Sequence, residues 1–397
     1  MRTLDEAPFV DIFSEEFQAD PGGVIAPLRA DTWVVRTPIG AMAIRRAEVA
    51  ALLADRRLRS SITDIVRMQG VGGDLLDRLS TSILALDGED HRRLRSLANR
   101  AFTPRAVDRH REDMRATFRK LLDPVAGDGR CEFVEAIAEH YPITVMCHVL
   151  GVPEEDHEDF ARWNKSVTWA LSFSLSEHID EVTEAFGHLD DYTRRLIADR
   201  RADPRDDMVT AMIQAREADD RLTDDEVAGM IGALLFAGYD TTRNQLGLAM
   251  WLFTQHPDQW ELLRSDPSLA PKAVEEVMRH QGAVGAAPRF TIEDIELDGW
   301  LVPEGTLLTL STAAANHDPA AYNEPEVFDI TRDGEPHFTF GGGPHYCLGA
   351  SLARAEMQEA LPLLAEAMPG LALDGEPTWR PPMGIFGPDS LPLRWTA

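Results

Sequence analysis

Apolar positions recur with helical spacing through the middle of the chain and with strand-like spacing toward its two ends. From about residue 104 to 280 the pattern predicts amphipathic helices, broken by turns at Gly151-Val-Pro153 and Asp203-Pro204. Before it, Thr32-Trp-Val-Val-Arg36 and Ala41-Met-Ala-Ile44 read as short strands among short helices. After it, Ile292, Ile295, Leu297 and the run Leu307–Leu310 predict strands between about 289 and 312. Residues 313–347 are rich in Pro, Asp and Gly and predict irregular chain. Helical spacing returns from Leu348 to Met368, and short strands follow around Gly384-Ile385-Phe386 and Leu391–Trp395. The sum is a mainly α protein with small β-sheets (α+β). It is expected to be one domain over residues 1–397, because no linker, repeat or low-complexity tract divides it. The β-containing part, about 1–80, is not expected to stand alone.

The longest predicted helix runs from Asp224 to about Gln255, and Thr223 with Glu226 forms a capping box at its start. Its centre, Met230–Gly238, is apolar on every side, which predicts burial. Tyr239-Asp240-Thr241-Thr242-Arg243 then interrupts the apolar run. A buried Asp beside a buried Thr is costly unless the two have partners or a task. A Thr-to-backbone bond inside a kinked helix accounts for the hydroxyl alone.

A second stretch, Phe340-Gly-Gly-Gly-Pro-His-Tyr-Cys347-Leu-Gly349, sets a lone cysteine behind a glycine-rich loop and before a helix. Gly341, Gly342 and Gly343 let the main chain approach a bulky ligand. Cys347 at a helix N-terminus is expected to favour the thiolate. A thiolate in a flat, glycine-lined nook suits the axial position of a planar metal macrocycle. Taken without its spacing, the same cysteine reads equally as a small buried hydrophobe.

Composition narrows the function. The net charge of −28 argues against nucleic acid and anionic membrane surfaces. Cys131, Cys147 and Cys347 lie far apart, which argues against a zinc or iron–sulfur site and for a reducing, cytoplasmic compartment. No apolar run reaches the ~18 residues of a spanning helix, and no signal peptide or anchor is expected. One segment breaks the acidity. Between His91 and Arg111 stand seven arginines and a single acid, Asp108. It reads as a docking patch for an acidic partner or as an ordinary solvated helix face.

The full spacing around Cys347 resembles the haem-binding loop of the cytochrome P450 family, Phe-Gly-x-Gly-x-His/Arg-x-Cys-x-Gly, at every fixed position. The likeness runs from about residue 30 onward. It implies the family's triangular prism, with haem b between the long central helix and the helix behind the cysteine loop. It implies Cys347 as iron ligand, with Phe340, Gly341 and Gly349 around it and His345 near a haem propionate. Ala237-Gly238-x-Asp240-Thr241 resembles the family's oxygen-binding groove. Ala237 and Gly238 would widen the helix there, Thr241 would hold oxygen and water, and Asp240 would pass protons from solvent. His91 with Arg95, and Arg289, match the family's other propionate positions. Glu276 and Arg279, joined by Arg332 in Pro325-x-x-Phe328-x-x-x-Arg332, match its structural triad. Arg92, Arg93 and Arg100 fall where the family docks ferredoxin.

The implied activity is an O2-dependent monooxygenase of bacterial type. Its electrons would come from NAD(P)H through ferredoxin reductase and ferredoxin, and the chain would be a monomer. Oxidative coupling, desaturation or rearrangement would use the same residues. A non-catalytic haem sensor or carrier would have no use for Asp240 and Thr241. The chain departs from the family at Ala283, where proline is usual, and at His317, where arginine is usual. Gly285, Ala286 and Ala287 stand where larger aliphatics are common. Together with Ala233, Ile385 and Phe386 they form the expected substrate pocket. The small size of Gly285, Ala286 and Ala287 predicts a bulky hydrophobic substrate such as a steroid, terpenoid or macrocycle, or else a space filled by larger groups such as Ile385 and Phe386.

Overall fold

The computed structural model describes residues 1–99, 102–172, 174–218, 223–381 and 384–396. Its principal sheet has five strands: β1 (Val34–Thr37), β2 (Gly40–Ala43), β3 (Leu58–Ser60), β4 (Ala287–Thr291) and β5 (Leu307–Leu310). Their order is β1-β2-β5-β4-β3, with β2 and β5 parallel and the other pairs antiparallel. The sheet therefore joins an early segment to a late one, so the β structure of the first residues is completed by strands some 250 positions on. Gly40, at φ +150°, starts β2 directly against the Leu307 carbonyl, where any Cβ would collide with it. Trp33, Val34, Ala41, Leu308 and Leu310 fill a core under this sheet.

The bulk is helical. The elements that position the site are α1 (Arg46–Leu53), α2 (Gly88–Asn99), α3 (Arg111–Ala126), α4 (Tyr141–Leu150), α5 (Ile179–Ala202), α6 (Asp224–Gln255), α7 (Ala270–His280) and α8 (Ala350–Ala367). At ~1.5 Å per residue α6 is about 48 Å long and crosses the molecule. The Thr223–Glu226 capping box opens it, and α4 and α5 pack along it. Leu235, Leu246, Ala249, Met250 and Phe253 bury it in the largest core, which explains why its apolar run has no polar face.

Three local expectations shift. Thr312–Asn316, expected to be irregular, is a short helix whose first turn is held by Ser311 accepting from the Ala314 N–H. The helix behind the cysteine begins at Ala350, two residues later than the spacing suggested, with Gly349 as its N-cap. Near the C-terminus, Ile385 makes only an isolated bridge to Val284. The strands there are β6 (Thr378–Trp379), β7 (Pro388–Ser390) and Pro392–Arg394. Among the described residues, no helix is long and apolar enough to cross a membrane.

Candidate active site

Four residues apart on α6, Ala237 and Thr241 face a cavity of 1310 Å³. The Thr241 hydroxyl donates to the Ala237 carbonyl at 2.7 Å, the local bond that a mid-helix threonine favours. With its proton so engaged, the oxygen retains acceptor capacity toward the cavity. Gly238 is placed differently from the expectation. A Cβ there would lie 2.6 Å from the Met146 sulfur, so this glycine serves the close approach of α4 to α6, not the cavity. Ala233 is also corrected: it is absent from the cavity lining, one turn before Ala237.

Asp240 is buried, with its side chain only 2% exposed, and it is fully partnered. One guanidinium nitrogen of Arg380 reaches both carboxylate oxygens, at 2.7 and 2.9 Å, and Asn244 donates to Oδ1 at 3.1 Å. Asn244 is one helical turn on and was within reach of the sequence. Arg380 comes from 140 residues away and left no local signal.

The cysteine loop is built on two left-handed glycines, Gly341 (φ +68°) and Gly343 (φ +62°). Gly343 also lies so close to the Leu53 carbonyl at the end of α1 that a Cβ would collide with it. The Cys347 N–H donates back to the Phe340 carbonyl at 2.9 Å and closes the loop. Phe340 lies under the Arg354 guanidinium, 4.5 Å from ring centre to Cζ, and 5.5 Å from the His337 ring. Arg354 is in turn held by Glu275 at 2.6 Å. Burial pushes the Cys347 thiol up, against the Gly349 N–H and the Arg95 and Arg354 cations, which pull it down. The helix end alone therefore does not secure the thiolate that the sequence led one to expect.

Behind the loop, Glu276 accepts from Arg279 at 2.7 and 2.9 Å and from Arg332 at 3.2 Å. The remaining Arg279 nitrogen donates to the Asn316 and Pro325 carbonyls. Asn316 then clamps the chain entering the loop, accepting from Phe338 N–H at 2.7 Å and donating to Thr339 Oγ1 at 3.0 Å.

Arg289 and His345 also line the cavity. Arg289 is half-buried, and among the described residues its side chain bonds only the neighbouring Pro288 carbonyl, at 2.9 Å. The ring of buried His91 lies 4.3 Å from that of His345. Burial, with the charges of His345 and Arg95, pushes the His91 imidazole down to about 4. Arg95 donates to the Pro344 and Tyr346 carbonyls, which ties α2 to the cysteine loop. Asp87, not foreseen, meets His345 at 2.7 Å and accepts from Ser60 N–H at 2.7 Å. Burial pushes its carboxyl up, but these partners outweigh it and hold it below the usual range.

Small Gly285, Ala286 and Ala287, with Ile385 and Phe386, line the same cavity. Of the expected docking arginines, Arg92 is exposed and bonds the Gly88 carbonyl. Arg93 departs from the expectation and turns to Glu226 of the α6 capping box. Arg100 lies outside the described residues.

These residues fit a haem. The cavity exceeds the about 300–1,000 Å³ of ordinary small-molecule sites, which leaves room for a flat prosthetic group and a second molecule. A guanidinium with donors to spare, Arg289, stands at its wall for a propionate, and the free Cys347 thiol, not itself part of the lining, follows two residues after His345, which is.

A family model for Cytochrome P450 matches residues 67–366. The chain is 38% identical over 396 residues to Luteothin monooxygenase of Streptomyces thioluteus, covering 99% of this chain and 97% of that one. It is 32% identical over 359 residues to 6-deoxyerythronolide B hydroxylase of Saccharopolyspora erythraea, covering 87% and 88%. Among solved structures it resembles P450BioI in complex with hexadec-9Z-enoic acid ligated Acyl Carrier Protein. That match has a TM-score of 0.89 and 32% identity, and covers 96% and 100% of the two chains.

Proposed function

The chain belongs to the cytochrome P450 family and is a monooxygenase of it; from that premise we propose that it hydroxylates a C–H bond of a bulky, hydrophobic small molecule. The observation that carries the substrate size is the small size of Gly285, Ala286 and Ala287 in the wall of a 1310 Å³ cavity that has also to hold the haem. Among steroids, terpenoids and macrocycles, the relative named 6-deoxyerythronolide B hydroxylase favours a macrocycle. Electrons come from NAD(P)H through a ferredoxin and its reductase, in the cytoplasm, with Arg92 on the docking face.

Haem b bound through the Cys347 thiolate supplies the activation of O2 and the cleavage of its O–O bond. The chain's own residues supply the rest. Arg289 and His345 would hold the propionates, with the His91 ring packed against that of His345. Apolar walls orient the substrate and exclude water. Thr241 offers an oxygen acceptor at the cavity face of α6, and Asp240, one residue away, is the acid that brings protons inward. Glu276, Arg279 and Arg332 hold the cysteine loop.

The test is the absorbance difference spectrum of the reduced protein with and without carbon monoxide. The strongly red-shifted Soret band of a thiolate-ligated haem is expected, and Cys347→His should abolish it. A band typical of histidine ligation in the unmodified chain would refute the assignment of Cys347. Macrolactones, steroids and terpenoids are then compared by the spin-state change they induce. Labelled dioxygen appearing in the product separates hydroxylation from coupling, desaturation or rearrangement.

A further inference from the structure

Arg380 sits at the end of β6, in the C-terminal hairpin, and its side chain is 22% exposed. It joins two carboxylates of opposite character. One of its Nη atoms grips both oxygens of buried Asp240, and its Nε donates to Asp389 at 3.0 Å, whose side chain is 52% exposed. The hairpin is seated tightly on α6. Its Arg380 N–H donates to the Gly387 carbonyl at 3.1 Å, and Gly387 approaches Asn244 so closely that no Cβ would fit. Asn244 is the other side chain bonded to Asp240. The same hairpin carries the cavity wall: Trp379 stacks on Phe386 at 5.5 Å and 11°, and Phe386 N–H donates to the Ala283 carbonyl at 2.8 Å. Arg380, Trp379, Ile385 and Phe386 all line the cavity.

We propose that Arg380 is a positioning residue for the monooxygenase reaction. It sets the orientation of the Asp240 carboxylate and links that acid to Asp389 at the surface, from the same hairpin that lines the cavity. A pair made only for stability has no need to be shared with an exposed acid or to stand in the substrate wall. The inference rests on the reading of Asp240 as the proton-delivering acid.

The experiment compares the haem-loaded wild type with Asp240→Asn, Arg380→Gln, Arg380→Lys and the double variant Asp240→Asn/Arg380→Gln. NAD(P)H oxidation is driven by a surrogate ferredoxin and reductase, in H2O and in D2O, with a 14-membered macrolactone as the probe. Thermal unfolding followed by circular dichroism is read alongside. General acid–base groups contribute about 10²–10⁴-fold, and a positioning residue is expected to account for about 10-fold. Arg380→Gln should slow turnover by that factor and raise the solvent isotope effect, Arg380→Lys should restore most of both, and the double variant should be no slower than Asp240→Asn. The unfolding temperatures should show the same non-additivity. Asp240→Asn with a wild-type isotope effect would overturn the reading of Asp240. Asp240→Asn impaired but Arg380→Gln indistinguishable from wild type would overturn the positioning role alone. Arg380→Gln that loses stability without moving the isotope effect would reduce Arg380 to a structural residue.

Discussion

Removal of the Glu276 carboxylate should loosen the cysteine loop from behind. Glu276 is 3% exposed in its side chain, and it accepts four hydrogen bonds: two from Arg279, one from Arg332 and one from the Asp329 N–H at 3.0 Å. In Glu276→Ala the Arg279 guanidinium, also 3% exposed, stays buried with backbone carbonyls and the face of the Tyr322 ring as its partners, and no counter-charge from Glu276. Breaking a buried pair from one side costs about 3–5 kcal/mol. With an unfolding entropy of about 2.1 cal/mol/K per residue, a chain of this length has about 0.8 kcal/mol/K in total. The midpoint should therefore fall by about 4–6 °C. Because Arg279 reaches the loop through Asn316, Phe338 and Thr339, haem content should fall together with the midpoint. The assay is thermal unfolding by circular dichroism with parallel haem quantitation. Arg332→Ala is the internal control. Its side chain is 14% exposed and its loss leaves the Glu276–Arg279 pair intact, so its cost should be about 1–2 kcal/mol. A Glu276→Ala protein that melts within a degree of wild type with full haem content would refute the coupling of triad to loop.

Gly343→Ala should prevent the cysteine loop from docking on α1, because it combines a left-handed backbone with a collision against the Leu53 carbonyl; haem content of the purified protein checks this. Ala286→Leu should overpack the cavity by about 1–3 kcal/mol, weakening macrolactone binding about 5- to 150-fold while sparing small ligands. Equal affinities across ligand size would contradict it. Acid should destabilise the chain between about pH 6.5 and 4 through His280, which burial and the charge of His317 push down to about 4. The unfolded chain binds this proton first, so the stability is whole above 6.5 and lost as pH falls toward 4, by about 3 kcal/mol at most. His280→Gln should flatten that part of the pH–stability curve. Below it, Glu275 acts in the same direction. Burial pushes its carboxyl up, but His337 and Arg354 outweigh this and hold it at about 2, so its contribution fades as pH falls below 4.5.

The amino-acid sequence by itself determined what is local. The capping box at Thr223, the 3.6-residue spacing of α6 and α8, and the glycine loop before Cys347 are each set by neighbours a few positions apart. That is why the long helix, the loop and the mainly α class were legible, and why the match of motifs identified the family. The Glu276–Arg279 pair was legible too, because i and i+3 share a helix face. Only the tertiary structure decided what depends on distant packing. Gly238 was read as widening the groove, but Met146 of α4 occupies its open side. Arg93 was read as surface charge, but the start of α6 lies within its reach. Asp87 and Arg380 gave no signal, since their partners His345 and Asp240 are 258 and 140 positions away. The state of Cys347 belongs to the same class: a helix end favours the thiolate, while the depth of burial, which no local pattern encodes, opposes it more strongly. Periodicity and propensity act over a turn or two of chain. Desolvation and ion pairing act over a few ångströms of space, and only the folded chain says which residues those ångströms join.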